Sequence, residues 1–296
     1  MDDKPFSEQA DLRACAVEPE QVIFPLQDGN FVVGFHYRSD PQGPLVALLH
    51  GASDSHTVFD FAPGFRVARS LARHDFGVLA MDRVGYGLAS RPGGDTLTFG
   101  ASAGYVHEVI EGVRAGALGQ VVSTVVLLGP SAGADVAIVE AGTYHDIDGA
   151  IVCFHTARLQ PALFDVDVDT WFSQGDYFDF GIDFRTRFFY AKPWALDSII
   201  NLDNATRQLV PRAEIHSALS GASAPFRAQI NVPILLMQAE HDGLFVPQND
   251  ASLFSCSPDV SFALLRKAGH KAFLHPTSKT AAAEAIACWI SQRFSH

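Results

Sequence analysis

A serine stands at the centre of a short glycine-flanked motif, residues 129–133 (Gly-Pro-Ser-Ala-Gly). The motif follows the apolar run Val125–Leu128, which is typical of a buried strand, and precedes the helix-compatible run Ala132–Ala141. In a strand–turn–helix of this kind, the glycines permit a tight turn that exposes the hydroxyl of Ser131 above the sheet. This serine could therefore act as a nucleophile, although an isolated match is more often a plain turn at the start of a helix.

A carboxylate that could support such a nucleophile follows a later apolar run. Asp242 lies shortly after Ile234–Met237 and directly before Gly243, where a turn is expected. Because this position is the carboxyl end of a predicted strand, its side chain could orient a histidine at the same edge of the sheet. Glu240 is the local competitor for the acid, and His241 is a competitor for the base.

The candidate base lies near the end of the chain. His270 follows the predicted last strand, Ser261–Leu265, in the sequence Ala-Gly-His. Ser131, Asp242 and His270 thus occur in the order nucleophile, acid, base, which is the order of a nucleophile-elbow hydrolase. His270 would take the proton of Ser131 and later give it to the leaving group. His275 is the nearest alternative base.

Backbone groups that could bind a developing oxyanion follow another predicted strand. The turn at residues 50–52 (His-Gly-Ala) comes directly after Leu45–Leu49. We expect the N–H groups of Ala52 and Ala132 to form the oxyanion hole. The imidazole of His50 is not needed for this, so we interpret it as a loop side chain bonded to backbone.

The elements that position these residues follow from apolar periodicity. Strands are predicted at Val22–Leu26 and Phe31–Tyr37 around the hairpin signal Asp28–Gly29, and at Leu45–Leu49, Phe76–Met81, Val125–Leu128, Ala150–Phe154, Ile234–Met237 and Ser261–Leu265. Helical spacing is found at 103–117, Ala132–Ala141 and Ala281–Phe294. This alternation predicts an α/β fold with a mostly parallel sheet. The glycine turn Asp82–Ser90 is interpreted as structural.

Composition limits the partners. The 296 residues carry a formal net charge of -12, which disfavours nucleic acid and anionic membranes. The first residues lack the pattern of a signal peptide, and no apolar run reaches the length of a membrane helix, so a soluble cytoplasmic protein is expected. No strand precedes G-x-G-x-x-G, and the four cysteines lack zinc-site spacing, so neither cofactor nor metal is predicted. Cys153 and Cys288 lie in apolar runs and are predicted to be buried.

The chain resembles the α/β-hydrolase superfamily, in its lidded serine esterase and lipase-like branch. The resemblance covers about residues 20–294 and is carried by His50-Gly51, Asp82-x-x-Gly85-x-Gly87-x-Ser90, the motif at 129–133, Asp242 and Gly269-His270. It implies an eight-stranded sheet with helices on both faces and a lid after the sixth strand. Pro130 stands where many members have histidine. Its missing N–H leaves the donor at Ala132 intact, but the pocket floor could differ.

The resemblance and the periodicity together give a domain division. Residues 1–20 are an N-terminal extension, 21–155 and 229–296 form the hydrolase core, and 156–228 form the inserted lid. The insertion is rich in aromatic residues, and those chosen as candidates for the pocket wall are Trp171, Phe172, Phe178 and Trp194. The other possibility is that the aromatic rings pack the lid onto the body.

The predicted function is hydrolysis of an ester, lactone or thioester of a bulky apolar small molecule through an acyl-serine intermediate. The alternatives are a non-hydrolytic small-molecule binder of the same fold, or a cofactor-free lyase or perhydrolase that uses the same three residues. Related enzymes with an aspartate nucleophile are set aside because Ser131 occupies that position. The sequence leaves open whether the protein is a monomer or a homodimer.

Overall fold

The computed structural model describes residues 18–38 and 43–294. Its main feature is an eight-stranded sheet with the order β1-β2-β4-β3-β5-β6-β9-β10. The strands of this sheet are β1 (Glu20–Pro25), β2 (Phe31–Tyr37), β3 (Leu45–Leu49), β4 (Gly77–Asp82), β5 (Val125–Pro130), β6 (Gly149–Cys153), β9 (Ile234–Ala239) and β10 (Val260–Leu265). A separate antiparallel pair is formed by β7 (Tyr177–Phe178) and β8 (Val210–Pro211).

Within the described residues there are eight α-helices. They are α1 (Val67–Ala72), α2 (Phe99–Arg114), α3 (Ala132–Tyr144), α4 (Val168–Phe172), α5 (Ile182–Phe189), α6 (Asp197–Ala205), α7 (Arg212–Leu219) and α8 (Lys279–Phe294). None of them is long and apolar enough to cross a membrane.

The sheet is mostly parallel, as predicted. From β4 to β10 every neighbouring pair is parallel, whereas β1 and β2 pair antiparallel through the hairpin at Asp28–Gly29. β2 also runs antiparallel to β4. The central strands are buried along their whole length because helices cover both faces, which explains their continuous apolar sequences.

The two faces of the sheet carry separate cores. On one face, Leu127 and its alternate neighbours pack with α2 and α3. On the other face, Val126 and Leu128 pack with α1 and α8. Successive side chains of a strand point to opposite faces, so one apolar strand supplies both cores. The prediction of an α/β-hydrolase fold with helices on both faces is confirmed.

Residues 156–228 contain α4 to α7 and the β7–β8 pair, and lie between β6 and β9 in the chain. Their aromatic rings pack largely against one another, as in the contacts of Trp171 with Phe178, Phe180 and Phe184 at centroid distances of 4.8–5.8 Å. Short helices with irregular links explain why the sequence of this region lacked a regular strand–helix alternation.

Two other predictions can be compared with the fold. Of the extension proposed for residues 1–20, residues 1–17 lie outside the described residues, and β1 begins at Glu20. Cys153 is buried as predicted, but Cys288 is exposed. The apolar run around Cys288 is helical, and its core-facing positions are instead Ile286, Ala287, Trp289 and Ile290.

Candidate active site

Ser131 occupies a strained turn between β5 and α3. Its φ is 55° and its ψ is -126°, a conformation that non-glycine residues rarely adopt and that is often found at functional sites. The neighbouring glycines are required by close backbone contacts. A Cβ on Gly129 would lie 2.7 Å from the Ala134 nitrogen, and one on Gly133 would lie 2.7 Å from the His50 oxygen. The turn therefore depends on glycine at both positions.

Asp242 and His270 form a buried pair. His270 Nδ1 lies 2.9 Å from Asp242 Oδ2. The other carboxylate oxygen of Asp242 accepts hydrogen bonds from the backbone N–H groups of Leu244 (2.8 Å) and Phe245 (3.0 Å). The carboxylate is thus held by its own turn and presents one oxygen to the imidazole, an arrangement that fixes the ring orientation and tautomer.

A segment of the insertion, residues 188–191, crosses the loops that carry this pair, and we call it the strap. A Cβ on Gly243 would lie 2.9 Å from the Phe188 Cα, and one on Gly269 would lie 2.6 Å from the Ala191 nitrogen. The backbone N–H of Lys271 donates to the Phe189 carbonyl over 2.9 Å. The glycines beside Asp242 and His270 therefore let the strap approach the site.

The predicted oxyanion donors belong to the elbow itself and to the turn after β3. Ala132 is the first residue of α3, so its N–H has no acceptor within the helix. The turn that carries Ala52 approaches the serine closely, since a Cβ on Gly51 would lie 3.2 Å from the Ser131 Cβ. The turn before Ala52 and the start of α3 therefore both adjoin Ser131.

His50 is bonded to backbone, in agreement with its interpretation as a loop side chain. Its Nδ1 lies 2.8 Å from the Gly51 oxygen, and its Nε2 accepts from the Arg83 N–H over 3.2 Å. Burial beside the Arg83 charge lowers the pKa of His50 to about 3, so the ring is neutral.

The sequence competitors for acid and base are engaged elsewhere. Glu240 accepts from the Lys267 N–H and pairs with Arg266. His241 is partly exposed and stacks on the Trp194 ring. His275 is buried, accepts from the Gly269 N–H over 3.3 Å, and its pKa is lowered by burial to about 4.

Ser131 and His270 line one small cavity. Its walls include the apolar side chains of Val58, Phe154, Phe189, Phe273 and Leu274, and the charged side chains of Asp54 and Lys271. About 20 Å³ is available to the centre of a water-sized sphere, which is room for about one water molecule. Part of this wall, Phe189, belongs to the strap.

The four aromatic residues predicted for the pocket wall do not line this cavity. Phe178 is fully buried, and Trp171 stacks on it at 5.8 Å. Phe172 stacks on His216, and Trp194 stacks on His241. In this structure three of the rings pack within the insertion, and Trp194 packs on a loop of the core. The cavity takes its aromatic wall from Phe154, Phe189 and Phe273.

A buried ionic cluster, which sequence reasoning missed, borders the cavity. It consists of Asp54, Asp203, Arg185 and Lys271. Lys271 pairs with Asp54 and lies 3.4 Å from Asp203. Arg185 pairs with Asp203 and donates to the hydroxyl and carbonyl oxygens of Ser53. The only sequence signal was proximity, since Lys271 follows His270 and Asp54 follows the oxyanion turn.

The cations of this cluster lower the pKa values of its two carboxyl groups, whereas burial raises them. Burial raises the pKa of Asp54 despite the adjacent Lys271. Burial alone would also raise the pKa of Asp203, but Lys271 and Arg185 outweigh it and hold that pKa below its usual value. Tyr190 adds a hydrogen bond of 2.6 Å to Asp203. Two carboxylates and two cations thus meet beside the oxyanion turn.

The glycine turn Asp82–Ser90 also fastens the insertion to the core. Arg83 forms a buried ion pair of 2.6 Å with Glu214 of α7, and Tyr86 donates to the same carboxylate over 2.6 Å. Arg83 Nε donates to the His50 carbonyl over 3.1 Å. Arg83 therefore links Glu214 of the insertion to the oxyanion turn, whereas Arg185 of the insertion contacts this turn directly.

Comparison with known proteins agrees with the fold. The alpha/beta hydrolase family model matches residues 46–283, most of the chain, and the chain therefore belongs to this family. A thermophilic esterase from Thermogutta terrifontis (malate bound) is 18% identical, with a TM-score of 0.70 over 94% of this chain and 100% of the other.

Two further solved structures have the same fold. An esterase from Exiguobacterium antarcticum is 16% identical, with a TM-score of 0.68 over 92% of this chain and 100% of the other. The thioesterase domain from the curacin biosynthetic pathway is 17% identical, with a TM-score of 0.61 over 92% and 99%. At these identities the likeness concerns the fold. No curated protein matches the chain significantly.

Proposed function

We propose that this protein is a serine hydrolase that cleaves a carboxylic ester through an acyl-serine intermediate. The observation that carries the proposal is the strained Ser131, which lines one cavity with a histidine held by a buried aspartate. Thioesters and lactones present the same reacting carbonyl group, so they are included among the substrates to be tested.

The proposed steps use these side chains as follows. Ser131 Oγ attacks the substrate carbonyl carbon while His270 Nε2 takes its proton, and the carboxylate of Asp242 stabilises the imidazolium. The N–H groups of Ala52 and Ala132 bind the oxyanion of the tetrahedral intermediate. The leaving group receives the proton from His270. The same imidazole then takes a proton from water, whose oxygen attacks the acyl carbon. As the bond from the acyl carbon to Ser131 Oγ breaks, His270 returns the proton to Oγ and the acid is released.

The cavity wall supports a preference for apolar acyl or alcohol groups. Phe154, Phe189 and Phe273 surround the reacting serine, together with two aliphatic side chains. Because the cavity is small, we expect a bulky group to displace the strap when it binds. Added apolar bulk is expected to raise kcat/KM, at most by roughly threefold to tenfold per buried methylene.

The direct test is a panel of p-nitrophenyl esters of graded chain length, with lactones and acyl thioesters, on wild type and Ser131→Ala. The variant is expected to lose about four to six orders of magnitude in kcat while remaining folded. A fluorophosphonate probe should label wild type only. Labelling of another serine, or turnover that survives in Ser131→Ala, would refute the nucleophile assignment.

The base and acid have separate tests. His270→Ala should be nearly as damaging as Ser131→Ala, because the two side chains act as one unit. Asp242→Asn should be less damaging, since the aspartate orients and stabilises the imidazole. His275→Ala serves as the comparison, and a greater loss there would show that His275 is the base. A wild type that binds esters without turnover would favour the non-hydrolytic alternative.

A further inference from the structure

A second cluster of titratable side chains connects α2 with the end of α3. It comprises His107 from α2, Glu140 from α3 and Asp146 from the following loop. One nitrogen of His107 and one oxygen of each carboxylate all lie within 4.8 Å of one another. The imidazole is held by a 2.7 Å hydrogen bond from Nδ1 to Asp146 Oδ2 and by stacking on Tyr144 at 4.0 Å.

Glu140 distinguishes this cluster from ordinary surface acids. The residue has 0% exposure, and neither carboxylate oxygen accepts from a donor group within the described residues, since its polar neighbour is the carboxyl group of Asp146. Asp146 Oδ1 is buried and unpartnered as well. A buried carboxylate without a donor is unfavourable unless it is neutralised or coordinates a metal ion. The carboxylates of Glu140 and Asp146 therefore require a cation between them, either a proton or a metal.

The guanidinium of Arg114 does not supply this cation. Arg114 donates to the carbonyl oxygens of Asp146 and Ser123, each over 2.7 Å, and to the Asp148 carboxylate over 2.8 Å. Its charge acts on Glu140 through space without a hydrogen bond to it. Glu111 adds another negative charge, with its carboxylate 3.7 Å from the His107 Nε2. The unpartnered oxygens of Glu140 and Asp146 therefore lie in a region of net negative charge.

We propose that His107, Glu140 and Asp146 bind one divalent transition-metal cation, with Zn²⁺ as the best match. Imidazole nitrogen and carboxylate oxygen are both ligands that this ion accepts, at about 2.0–2.2 Å. Ligand atoms on one such ion lie about 3–4 Å apart, so movements of about 1 Å bring these side chains into place. His107 and Asp146 are partly exposed, which leaves room for water as a further ligand.

The ion would be structural. Glu140 lies about 14 Å along α3 from Ser131, at about 1.5 Å per residue, so a bound ion does not touch the reacting atoms. It would connect α2 to the helix that begins at the nucleophile, and so stabilise the helix behind the elbow. The cysteine and histidine spacings gave no sign of this site, because its ligands come from three separate positions and only one is a histidine.

The proposal can be tested on the full chain by titrating EDTA-treated protein with ZnCl₂ in a calorimeter and measuring the melting temperature with and without the ion. Glu140→Gln keeps the shape, and its amide can donate to Asp146, so the variant is expected to fold. Wild type should bind one equivalent, and Glu140→Gln and His107→Gln should each weaken binding by at least about tenfold. The control is His74→Gln, at an exposed histidine outside the cluster.

The expected pattern is a Zn²⁺-dependent rise in melting temperature in wild type and His74→Gln that is lost in Glu140→Gln and His107→Gln. Ester turnover per folded molecule should be unchanged by the ion. If wild type and Glu140→Gln bind Zn²⁺ equally, the ion is held elsewhere and the proposal fails. It also fails if wild type takes up no stoichiometric ion, in which case the carboxylates share a proton.

Discussion

Replacement of Arg185 by methionine should affect both stability and catalysis. Arg185 is fully buried, pairs with Asp203, and donates to Asn204 over 3.0 Å and to both oxygens of Ser53. Arg185→Met keeps an apolar stem of similar length but leaves Asp203 with one fewer cation. Loss of one partner of a buried ion pair costs about 3–5 kcal/mol in free energy of unfolding.

The catalytic effect follows from the position of Ser53. This residue has a positive φ of 61° directly after Ala52, whose N–H is a proposed oxyanion donor. Without Arg185 the turn loses the hydrogen bonds of the guanidinium to Ser53 and keeps one bond from the insertion, that of the Gln208 N–H to the Ser53 carbonyl over 3.0 Å. Complete loss of an oxyanion donor costs about 10²–10³ in kcat, so a misplaced donor should cost up to about 10². The effect should fall on kcat more than on KM, because the oxyanion forms only in the transition state.

A double-mutant cycle separates charge balance from packing. Asp203→Asn alone leaves the cluster with an excess cation, whereas Arg185→Met with Asp203→Asn restores the balance, and the amide oxygen can still accept from Tyr190. The two changes should therefore couple by about 1–3 kcal/mol, so that the double variant is more stable than the sum predicts.

Urea unfolding and ester kinetics on the same samples provide the measurements. Arg187→Met, at an exposed arginine of the same helix, is the matched control and should stay within about 0.5 kcal/mol of wild type. If Arg185→Met behaved like that control, the ion pair would contribute nothing to the free energy of unfolding or to turnover. If the cycle were additive, Arg185 and Asp203 would not share a charge balance.

Two other predictions concern the strap and a buried histidine. Gly243→Ala should destabilise the fold by about 1–3 kcal/mol and lower kcat, because its Cβ would lie 2.9 Å from the Phe188 Cα. The control Gly100→Ala should be neutral, since its Cβ would meet nothing closer than 3.8 Å. Equal melting temperatures and turnover for the two variants would contradict this prediction. In the folded protein the pKa of His275 is lowered to about 4 from 6.5, so as the pH falls the unfolded chain binds a proton before the folded chain does. The contribution of His275 to the free energy of unfolding is therefore full above pH 6.5, and about 3 kcal/mol of it is lost as the pH falls toward 4. Urea unfolding across this range should therefore give a flatter pH dependence for His275→Gln than for wild type, and identical curves would show that another group is responsible.

Most of the sheet could be predicted from local patterns. Each run of apolar residues between polar turns became a strand, with ends shifted by one or two residues, as for Val125–Leu128 and the observed Val125–Pro130. A strand covered on both faces must be apolar throughout, and this requirement is visible within a few residues of sequence. The glycines around Ser131 are likewise explained by contacts of the turn with adjacent backbone.

The cavity wall could not be predicted in the same way. The insertion contains many aromatic residues of similar hydrophobicity, and nothing local distinguishes Phe189, which lines the cavity, from Phe178, which packs inside the insertion. That difference depends on how short helices pack against a distant surface. The sequence pattern identified an aromatic insertion near the serine, and the tertiary contacts selected which rings face it.

The charged groups around the site illustrate the same division. The order Ser131, Asp242, His270 and their places after strands are visible in the sequence alone, and parallel strands bring their carboxyl ends to one edge of a sheet. The pairing of Lys271 with Asp54 joins residues 217 positions apart, and only the folded chain could decide it. Burial makes that pairing necessary, and burial depends on the whole structure around a residue.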